Sequence, residues 1–356
     1  MARIFGVGIC LAALLAAGCA PLKASLTNSF AADWPVNTKP VVKIGLVAPF
    51  EGLYRPLGYE VLHAVKAAVS QCNEEGGAAG YMVELVALDD SNDPEQAAIQ
   101  AKKMAIDPDV MGVIGGLSSG TALAAFEEYH RNGLAFVALA AADGLTERCY
   151  PEVFRLFAPN RLLGTEAARF AVRELGATKL AILGKEGDLM EAFVEEAKGL
   201  RARVTICDSF FAIPDSPELI FLGGGAVEGA ELARQIRGAG FNAQLMGGSE
   251  LCDPKLIQIG GEAAEGTLCV TSAPTWGGFT DPRATLAYDA ARILLEALAK
   301  AVERDGRPSR EGILSALAET HYVGLSGEIS FDACGNWINP PVHIRAVAQQ
   351  RSRPLH

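Results

Sequence analysis

From Val41 onward, short apolar runs alternate with longer stretches in which apolar residues recur every three or four positions. The run Val42–Val47 is rich in β-branched and aliphatic residues and is typical of a buried strand. The stretch that begins near Gly58 is typical of an amphipathic helix, with apolar residues at spacing four: Val61, Val65, Val69 and Cys72. The fold therefore begins with a strand, a loop over residues 50–57 and a helix.

The same alternation continues along the rest of the chain. Further strands are predicted at residues 83–88, 111–114, 135–139, 153–157, 179–183, 203–207, 219–222, 244–246, 328–331 and 343–347. Helices are predicted at residues 93–104, 121–131, 162–174, 188–200, 227–237, 282–304 and 309–318. Strands that alternate with helices predict parallel α/β sheets, and two such series, split near residues 158–160, predict two α/β lobes.

The first eighteen residues have the parts of a signal peptide: a positive charge at Arg3, an apolar segment over residues 4–17 and a small-residue cleavage site. The apolar segment is shorter than the about 20 residues that span a bilayer. Because Cys19 follows the cleavage site directly, the segment resembles a bacterial lipoprotein signal, with Cys19 as the site of lipid attachment. Residues 19–40 lack a sustained apolar period and are expected to form a tether. The alternative is an ordinary secretory peptide in which Cys19 is incidental.

Charge and hydropathy narrow the classes of partner. The formal net charge of −11 argues against nucleic acid, because a phosphate-binding surface needs clustered Lys and Arg. No second apolar segment is long enough to cross a membrane, so the lipid would be the only membrane contact of a protein outside the cytoplasm. The length predicts two domains, each large enough for its own core.

Six cysteines remain once Cys10 in the signal and Cys19 are set aside. An oxidising compartment permits disulfides, and six cysteines allow 15 pairings, which the sequence leaves open. Cys72 lies on the apolar face of a predicted helix and is expected to be a buried thiol. Neither a CxxC pair nor a paired Cys/His spacing is present, so we expect no metal site and no cofactor.

The segment Gly116–Gly120 matches the G-x-S-x-G motif and lies between a predicted strand and a predicted helix, as a nucleophile elbow requires. A hydrolase using Ser118 would also need a histidine that follows an acid, and none of the five histidines has such a context. The competing interpretation is an anion site, in which hydroxyl groups and N–H groups at a helix N-terminus hold a carboxylate. We favour the anion site and expect no enzymatic activity, with the hydrolase as a third hypothesis.

Two other motifs are weaker. Residues 223–229 are glycine-rich after a strand but lack the GxGxxG spacing, which argues against a nucleotide site. Residues 89–93 resemble a calcium loop but lack its glycine and its final glutamate. We interpret this second segment as the end of a strand followed by a helix cap.

Several short motifs follow one another in the order found in a known family. They comprise residues 43–49, 73–77, 85–90, 93–94, 113–115, 118–120, 246–248, 263–266, 288–290 and 327–332. As a set they resemble the type I periplasmic binding proteins of the leucine/isoleucine/valine-binding class, which are the receptors of amino-acid ABC importers.

This resemblance implies two Rossmann-like lobes with parallel sheets, joined by a hinge of three crossovers and closing over a ligand. The crossovers are expected near residues 157–161, 271–276 and 324–332. Lobe 1 would comprise residues 41–158 and 274–325, and lobe 2 would comprise residues 159–273 and 326–350.

The resemblance also implies where the charged ends of an amino-acid ligand would bind. The contacts after the third and fourth strands fall on Ser119 with the following backbone amides, and on Ala140 and Ala142. Tyr54 enters from the loop after the first strand, where an aromatic residue can cover a ligand. The full set of candidate ligand-binding residues is Tyr54, Ser118, Ser119, Thr121, Ala140, Ala142, Leu189, Ser249 and Glu250.

The chain departs from the family at three of these positions. Ala142 stands where a threonine is usual, Leu189 where an aromatic residue is usual, and Ser249 where an acidic residue is usual. Glu250, adjacent to Ser249, and Asp143 are the acids that could meet a ligand ammonium. Losing a buried hydrogen-bond partner costs about 1–3 kcal/mol. A less zwitterionic and more apolar ligand would fit Ala142 and Leu189, and so would a degenerate receptor that no longer binds.

The expected function is that of an extracytoplasmic solute-binding lipoprotein, which delivers an amino acid or a related small molecule to an ABC permease. The alternative is a scaffold or regulatory envelope lipoprotein that keeps this fold with a degenerate cleft.

The lipid anchor can be tested by fractionation. In a bacterium that processes lipoproteins, the full chain should sediment with membranes, and Cys19→Ala should move it to the soluble extracytoplasmic fraction because the acyl chains are lost. Cys10→Ala, inside the signal, is the matched control and should leave the fractionation unchanged. A Cys19→Ala protein that stays with the membranes would rule out Cys19 as the anchor.

Overall fold

The fold is known from a computed structural model that describes residues 39–184 and 187–348. The predicted signal peptide, Cys19, the tether up to residue 38 and residues 349–350 of the predicted second lobe lie outside the described residues. Among the described residues, no helix is both long enough and apolar enough to cross a membrane.

Lobe 1 is built on a parallel sheet of five strands in the order β2-β1-β3-β4-β5. The strands are β1 (Val41–Ala48), β2 (Met82–Asp89), β3 (Val110–Gly115), β4 (Ala135–Ala138) and β5 (Val153–Arg155). The helices that connect the first four strands are α1 (Arg55–Glu74), α2 (Pro94–Ile106) and α3 (Ser119–Arg131). The helix starts follow local sequence, since Asp93 accepts a hydrogen bond from the backbone N–H of Gln96 (2.9 Å) and Pro94 occupies the first helical position.

Lobe 2 is built on a second, mainly parallel sheet. Its elements are α4 (Asn160–Arg169), β6 (Lys179–Leu183), α5 (Asp188–Gly199), β7 (Arg203–Cys207), β8 (Leu219–Leu222), α6 (Ala226–Gly238), β9 (Gln244–Gly247), α7 (Lys255–Gly260) and β10 (Leu268–Thr271). A π-helical turn, Phe170–Glu174, extends α4.

The chain then returns to lobe 1 before it ends in lobe 2. The long helix α8 (Pro282–Asp305) packs on α1, and α9 (Arg310–Ala318) packs on α8. A hairpin of β11 (Tyr322–Gly324) and β12 (Gly327–Ile329) follows. The last strand, β13 (His343–Ala346), pairs antiparallel with β10 and completes the sheet order β13-β10-β9-β8-β6-β7. Two Rossmann-like lobes with parallel sheets are therefore present, as expected.

The last passage between the lobes lies later in the chain than the sequence indicates. Residue 326 was expected to begin the final part of lobe 2, but Phe331 packs edge-on against Phe154 of β5. The backbone N–H of Arg155 donates to the carbonyl of Gly335 (2.8 Å), and Cys334 forms a disulfide with Cys149. Because these contacts hold residues 327–337 on lobe 1, we place the third crossover after residue 338. The other predicted boundaries of the two lobes, near residues 158 and 274, remain a proposal.

Two disulfides form within the described residues, Cys149–Cys334 and Cys252–Cys269. Cys72 is a buried thiol, as expected, and burial raises its pKa. Cys207 is buried as well. The second disulfide joins the turn after β9 to β10, and this turn also carries two of the candidate ligand-binding residues, Ser249 and Glu250.

One apolar cluster contains fully buried residues of both sheets and of the segment between them, among them Ile44, Val137, Phe157, Ile182 and Phe221. Separate clusters fill the opposite face of each sheet. Close packing of α4 on α5 requires a glycine at position 164, because a Cβ atom there would lie 2.1 Å from the carbonyl oxygen of Leu189. The small residue in α4 therefore fixes the position of Leu189 at the start of α5.

A pair of glycine substitutions tests this packing. Gly164→Ala should lower the free energy of unfolding by about 1–3 kcal/mol, because the new methyl group must displace α5. Gly199→Ala, at the end of α5, is the matched control: no atom lies within 4 Å of its Cβ position. It should be neutral or stabilise by up to about 1 kcal/mol. Urea unfolding of both variants measures this difference. Equal unfolding midpoints for Gly164→Ala and Gly199→Ala would show that α4 and α5 are not closely packed.

Candidate functional site

The carboxyl-terminal ends of the strands of both sheets face a cavity of about 440 Å³. This cleft is lined from lobe 1 by the residues after β3 and β4, and from lobe 2 by the residues after β6, β8 and β9. Six of the candidate residues line it: Ser118, Ser119, Ala140, Leu189, Ser249 and Glu250. Loops at this edge of parallel α/β sheets are the usual place for a ligand.

Ser118 and Ser119 begin α3 at the lobe 1 wall. The hydroxyl of Ser118 accepts a hydrogen bond from the backbone N–H of Thr121 (3.4 Å) and shares another with the Thr121 hydroxyl (3.1 Å). Thr121 is buried and uses its N–H and its hydroxyl inside this capping box, so it shapes the helix start from behind the wall. Ser119 is half-buried and lies at the N-terminus of a 13-residue helix, where the helix dipole favours an anion.

The capping role of Ser118 bears on the nucleophile-elbow hypothesis. Its oxygen is engaged with Thr121, and no histidine is among the described residues that line the cleft. A Ser–His pair is the minimum that such a hydrolase would need. The geometry therefore supports the anion site at this motif.

Ala142 and Asp143 contact Arg155 and Arg161 and are not among the residues that line the cleft. The carbonyl of Ala142, which is buried, accepts a hydrogen bond from Nη1 of Arg155 (2.8 Å). Asp143 accepts from the backbone N–H of Arg161 (3.2 Å) and lies 3.9 Å from Nη1 of Arg155. Burial raises the pKa of Asp143, and the charge of Arg155 opposes this. Of the two acids that the sequence offers for a ligand ammonium, Glu250 is therefore the one at the cleft.

The lobe 2 wall combines an apolar side chain with a polar turn. Leu189, half-buried in the first turn of α5, lies beside Gly248. Ser249 and Glu250 form the first half of the 3₁₀ turn Ser249–Cys252, and Glu250 is exposed. The Cys252–Cys269 disulfide ties the end of this turn to β10.

Arg283 is a residue of the cleft that the sequence reasoning missed. Its guanidinium donates from Nε and Nη2 to both carboxylate oxygens of Asp281 (2.9 and 2.6 Å), and from Nη1 to the carbonyl of Leu117 (3.0 Å). Burial alone would raise the pKa of Asp281, but the charge and hydrogen bonds of Arg283 outweigh it and lower that pKa. A cation in the first turn of a helix opposes the helix dipole, and this is the signal that could have identified Arg283.

Tyr54 lies at the edge of the cleft rather than inside it. With Ser118, Glu250 and Arg283 it lines a small adjoining space. Burial and the carboxylates of Glu250 and Asp253 raise the pKa of the Tyr54 phenol. The tyrosine thus stands where the loop after β1 meets the turn after β9.

The comparison with known proteins agrees with this geometry. A family model described as Periplasmic binding protein matches residues 41–202. The chain is similar to the type I periplasmic binding proteins. Its relatives are of the branched-chain amino-acid binding class, and the family is one of substrate-binding proteins rather than enzymes.

Two curated relatives illustrate the similarity. The chain is 27% identical over 244 residues to a Leu/Ile/Val-binding protein of Rhizobium johnstonii, an alignment that covers 64% of this chain and 66%, just under two thirds, of the relative. It is 26% identical over 330 residues to a leucine-, isoleucine-, valine-, threonine- and alanine-binding protein of Pseudomonas aeruginosa, covering 84% of this chain and 87% of that protein.

Solved structures show the same fold. A leucine-binding protein of Thermotoga maritima superposes with a TM-score of 0.75 at 26% identity, covering 86% of this chain and 96% of that chain. A branched-chain amino acid transporter substrate-binding protein of Streptococcus pneumoniae, in complex with isoleucine, has the same TM-score and coverage at 21% identity. The periplasmic binding protein family is one of proteins that act outside the cytoplasm.

A buried carboxyl group at the cleft end of β2 predicts a dependence of stability on pH. Burial raises the pKa of Asp90 to about 6, well above the unfolded value of about 3.9. The folded state therefore binds more protons than the unfolded state between about pH 4 and pH 6, and stability falls as the pH rises through this window. Asp90→Asn should exceed the wild type in free energy of unfolding by on the order of 2 kcal/mol at pH 8, and by little at pH 4.

Asp107 provides a control of opposite sign. Its hydrogen bond from Lys43 (2.9 Å) lowers its pKa, so ionised Asp107 stabilises the fold above the unfolded pKa. The Asp107→Asn variant should therefore have a lower free energy of unfolding than the wild type at pH 8. Urea unfolding at both pH values checks the pair, and an Asp90→Asn variant less stable than the wild type at pH 8 would contradict the assignment.

Proposed function

We propose that this protein is an extracytoplasmic solute-binding lipoprotein that binds an amino acid, or a close chemical relative, in the cleft and delivers it to an ABC permease. The observation that carries the proposal is the chemistry of the cleft. An anion-binding helix start and a buried guanidinium lie on one wall, a carboxylate lies on the other, and apolar side chains lie between them.

The carboxylate of the ligand is assigned to the lobe 1 wall. Ser119 and the first N–H groups of α3 can donate to it, and Arg283 brings a positive charge to the same wall. A guanidinium has more N–H donors than Asp281 and Leu117 use. Arg283 therefore compensates in part for Ala142, the position at which a hydroxyl group is missing.

The ammonium of the ligand is assigned to Glu250 on the lobe 2 wall. This carboxylate is exposed at the cleft, next to Ser249. A charge-assisted hydrogen bond between ammonium and carboxylate is about twice as strong as one between neutral groups. Glu250 therefore replaces the acidic residue that is missing at position 249.

The side chain of the ligand is assigned to the apolar part of the cleft. Leu117, Leu139, Phe157, Leu189 and Leu222 line it. A volume of about 440 Å³ is within the range of small-molecule sites. Aliphatic walls favour an aliphatic side chain, which agrees with the branched-chain ligands named for the relatives.

Two parts of the proposal rest on the sequence and the family. The membrane anchor rests on the signal-like residues 1–18 and on Cys19. The permease rests on the solved relative described as a branched-chain amino acid transporter substrate-binding protein. Small-molecule capture outside the cytoplasm needs both a partner that receives the ligand and a means of staying near it.

The proposal is tested by calorimetric titration and thermal unfolding of the soluble Cys19→Ala form, unfolded and refolded to remove any bound ligand. The panel contains branched-chain and other amino acids, short amides and small carboxylates. A ligand at a hundred times its Kd should stabilise by about 2.7 kcal/mol and raise Tm by about 4 °C or more. We expect this response from one chemical class.

Two variants connect the response to the cleft. Ser119→Ala and Glu250→Gln should each weaken binding roughly tenfold to a hundredfold, because each removes one partner of a charged end of the ligand. The matched controls, Ser315→Ala on α9 and Glu231→Gln on α6, should bind as the wild type does. A folded, refolded protein with no response to the whole panel would contradict the proposal and favour the scaffold.

A further inference from the structure

Each lobe presents the same three-residue motif to the other. Asp281-Pro282-Arg283 begins α8 in lobe 1, and Asp253-Pro254-Lys255 begins α7 in lobe 2. In both motifs the aspartate accepts a hydrogen bond from the backbone N–H of the basic residue, at 2.8 Å in lobe 1 and 2.9 Å in lobe 2. The two aspartates thus make the same local contact with the backbone, and Asp281 is in addition the N-cap of α8.

The four charged side chains form one row across the interface between the lobes, with alternating sign. Asp281 is paired with Arg283 at 2.6 Å, Nη2 of Arg283 lies 4.0 Å from Oδ2 of Asp253, and Oδ1 of Asp253 lies 3.7 Å from Nζ of Lys255. Lys255 Nζ in turn lies 5.3 Å from the ring centroid of Tyr54 in lobe 1. The row therefore crosses between the lobes twice.

All four charged residues are buried, with exposed fractions of 8% or less. A buried charge is costly unless it is paired, and here each lobe neutralises its own charge with its own partner. Separating the lobes therefore leaves no charge without its partner. Bringing them together adds the attraction between Arg283 and Asp253, and between Lys255 and the Tyr54 ring. These added contacts favour the closed arrangement.

The carboxylate of Asp253 gives further evidence for the contact between the lobes. Its Oδ2 atom is buried and has no hydrogen-bond partner within the described part of the chain. Arg283 Nη2 provides a charge on that side at 4.0 Å, beyond hydrogen-bond distance. The residue also lines the small space shared with Tyr54, Ser118 and Glu250. The carboxylate of lobe 2 is thus aimed at lobe 1.

We propose that the two Asp-Pro-basic motifs form an inter-lobe latch, in which Asp253 and Lys255 are positioning residues that hold Arg283 at the cleft wall and stabilise the closed lobes. The effect of the latch on ligand affinity rests on the proposed function, whereas its effect on the arrangement of the lobes does not. Because apparent affinity scales with the population of the binding-competent state, Asp253 and Lys255 raise the affinity of the cleft without touching the ligand.

The test replaces the lobe 2 pair with neutral residues, Asp253→Asn together with Lys255→Met, in the soluble Cys19→Ala form. Both are changed together so that neither charge is left buried without its partner. The matched control is Arg161→Gln with Glu195→Gln, which removes an exposed ion pair (2.9 Å) inside lobe 2. Circular dichroism and unfolding midpoints establish that each variant is folded.

Small-angle X-ray scattering of ligand-free protein gives the first readout. The double variant should have a larger radius of gyration than the wild type and the control. If the panel has identified a ligand, that ligand should bring the radius back toward the wild-type value. The ligand should also dissociate roughly tenfold faster, with a smaller change in association rate, because closure holds the ligand after it has entered. If Asp253 and Lys255 only stabilised lobe 2, the double variant would be less stable, but its radius of gyration and its ligand dissociation rate would equal those of the wild type.

A folded double variant whose scattering matches the wild type overturns the latch, whether or not a ligand has been found. If the double variant does not fold, Tyr54→Leu removes the ring beneath Lys255 from a half-buried loop position. It should raise the radius of gyration in the same direction by a smaller amount. Scattering of Tyr54→Leu identical to that of the wild type overturns the proposal in that case.

Discussion

Parallel strand pairing is the constraint on which the site depends. When every strand of a sheet runs the same way, each strand ends at the same edge, and the loops that lead into the helices collect there. Here the ends of β3 and β4 carry Ser119 and Ala140, and those of β6 and β9 carry Leu189 and Glu250. Two such edges facing each other make a cleft whose walls belong to different lobes, so ligand binding and lobe closure become linked.

The hydrophobic pattern of the sequence predicted the alternating strands and helices from which parallel sheets are built. Strand and helix periods gave two series of alternating elements, and the two sheets contain most of the predicted strands, because periodicity is a local property of sequence. The strand predicted at residues 328–331 falls instead in the separate hairpin of β11 and β12. The resemblance to a known family supplied Ser119, Leu189 and Glu250, and all three line the cleft. The two-lobe fold could therefore be predicted from periodicity, and the resemblance to the family from the ordered set of short motifs.

The features that the sequence did not predict depend on contacts between distant segments. Arg283 enters the cleft from α8, more than a hundred residues after Leu117, whose carbonyl it binds. The disulfide between Cys149 and Cys334 spans 185 residues. It keeps the segment around Cys334 on lobe 1, whereas the sequence assigned this segment to lobe 2. Nothing in the local sequence connects Asp253 with Arg283, and only the fold brings the two side chains together.

A structure of the protein crystallised with the ligand that the panel selects tests the central claim most directly. We expect density for one small molecule in the cleft, with its carboxylate at Ser119 and Arg283 and its ammonium at Glu250. The apolar part should lie against Leu189. A cleft without the ligand at saturating concentration, or a ligand bound elsewhere on the molecule, would contradict the account.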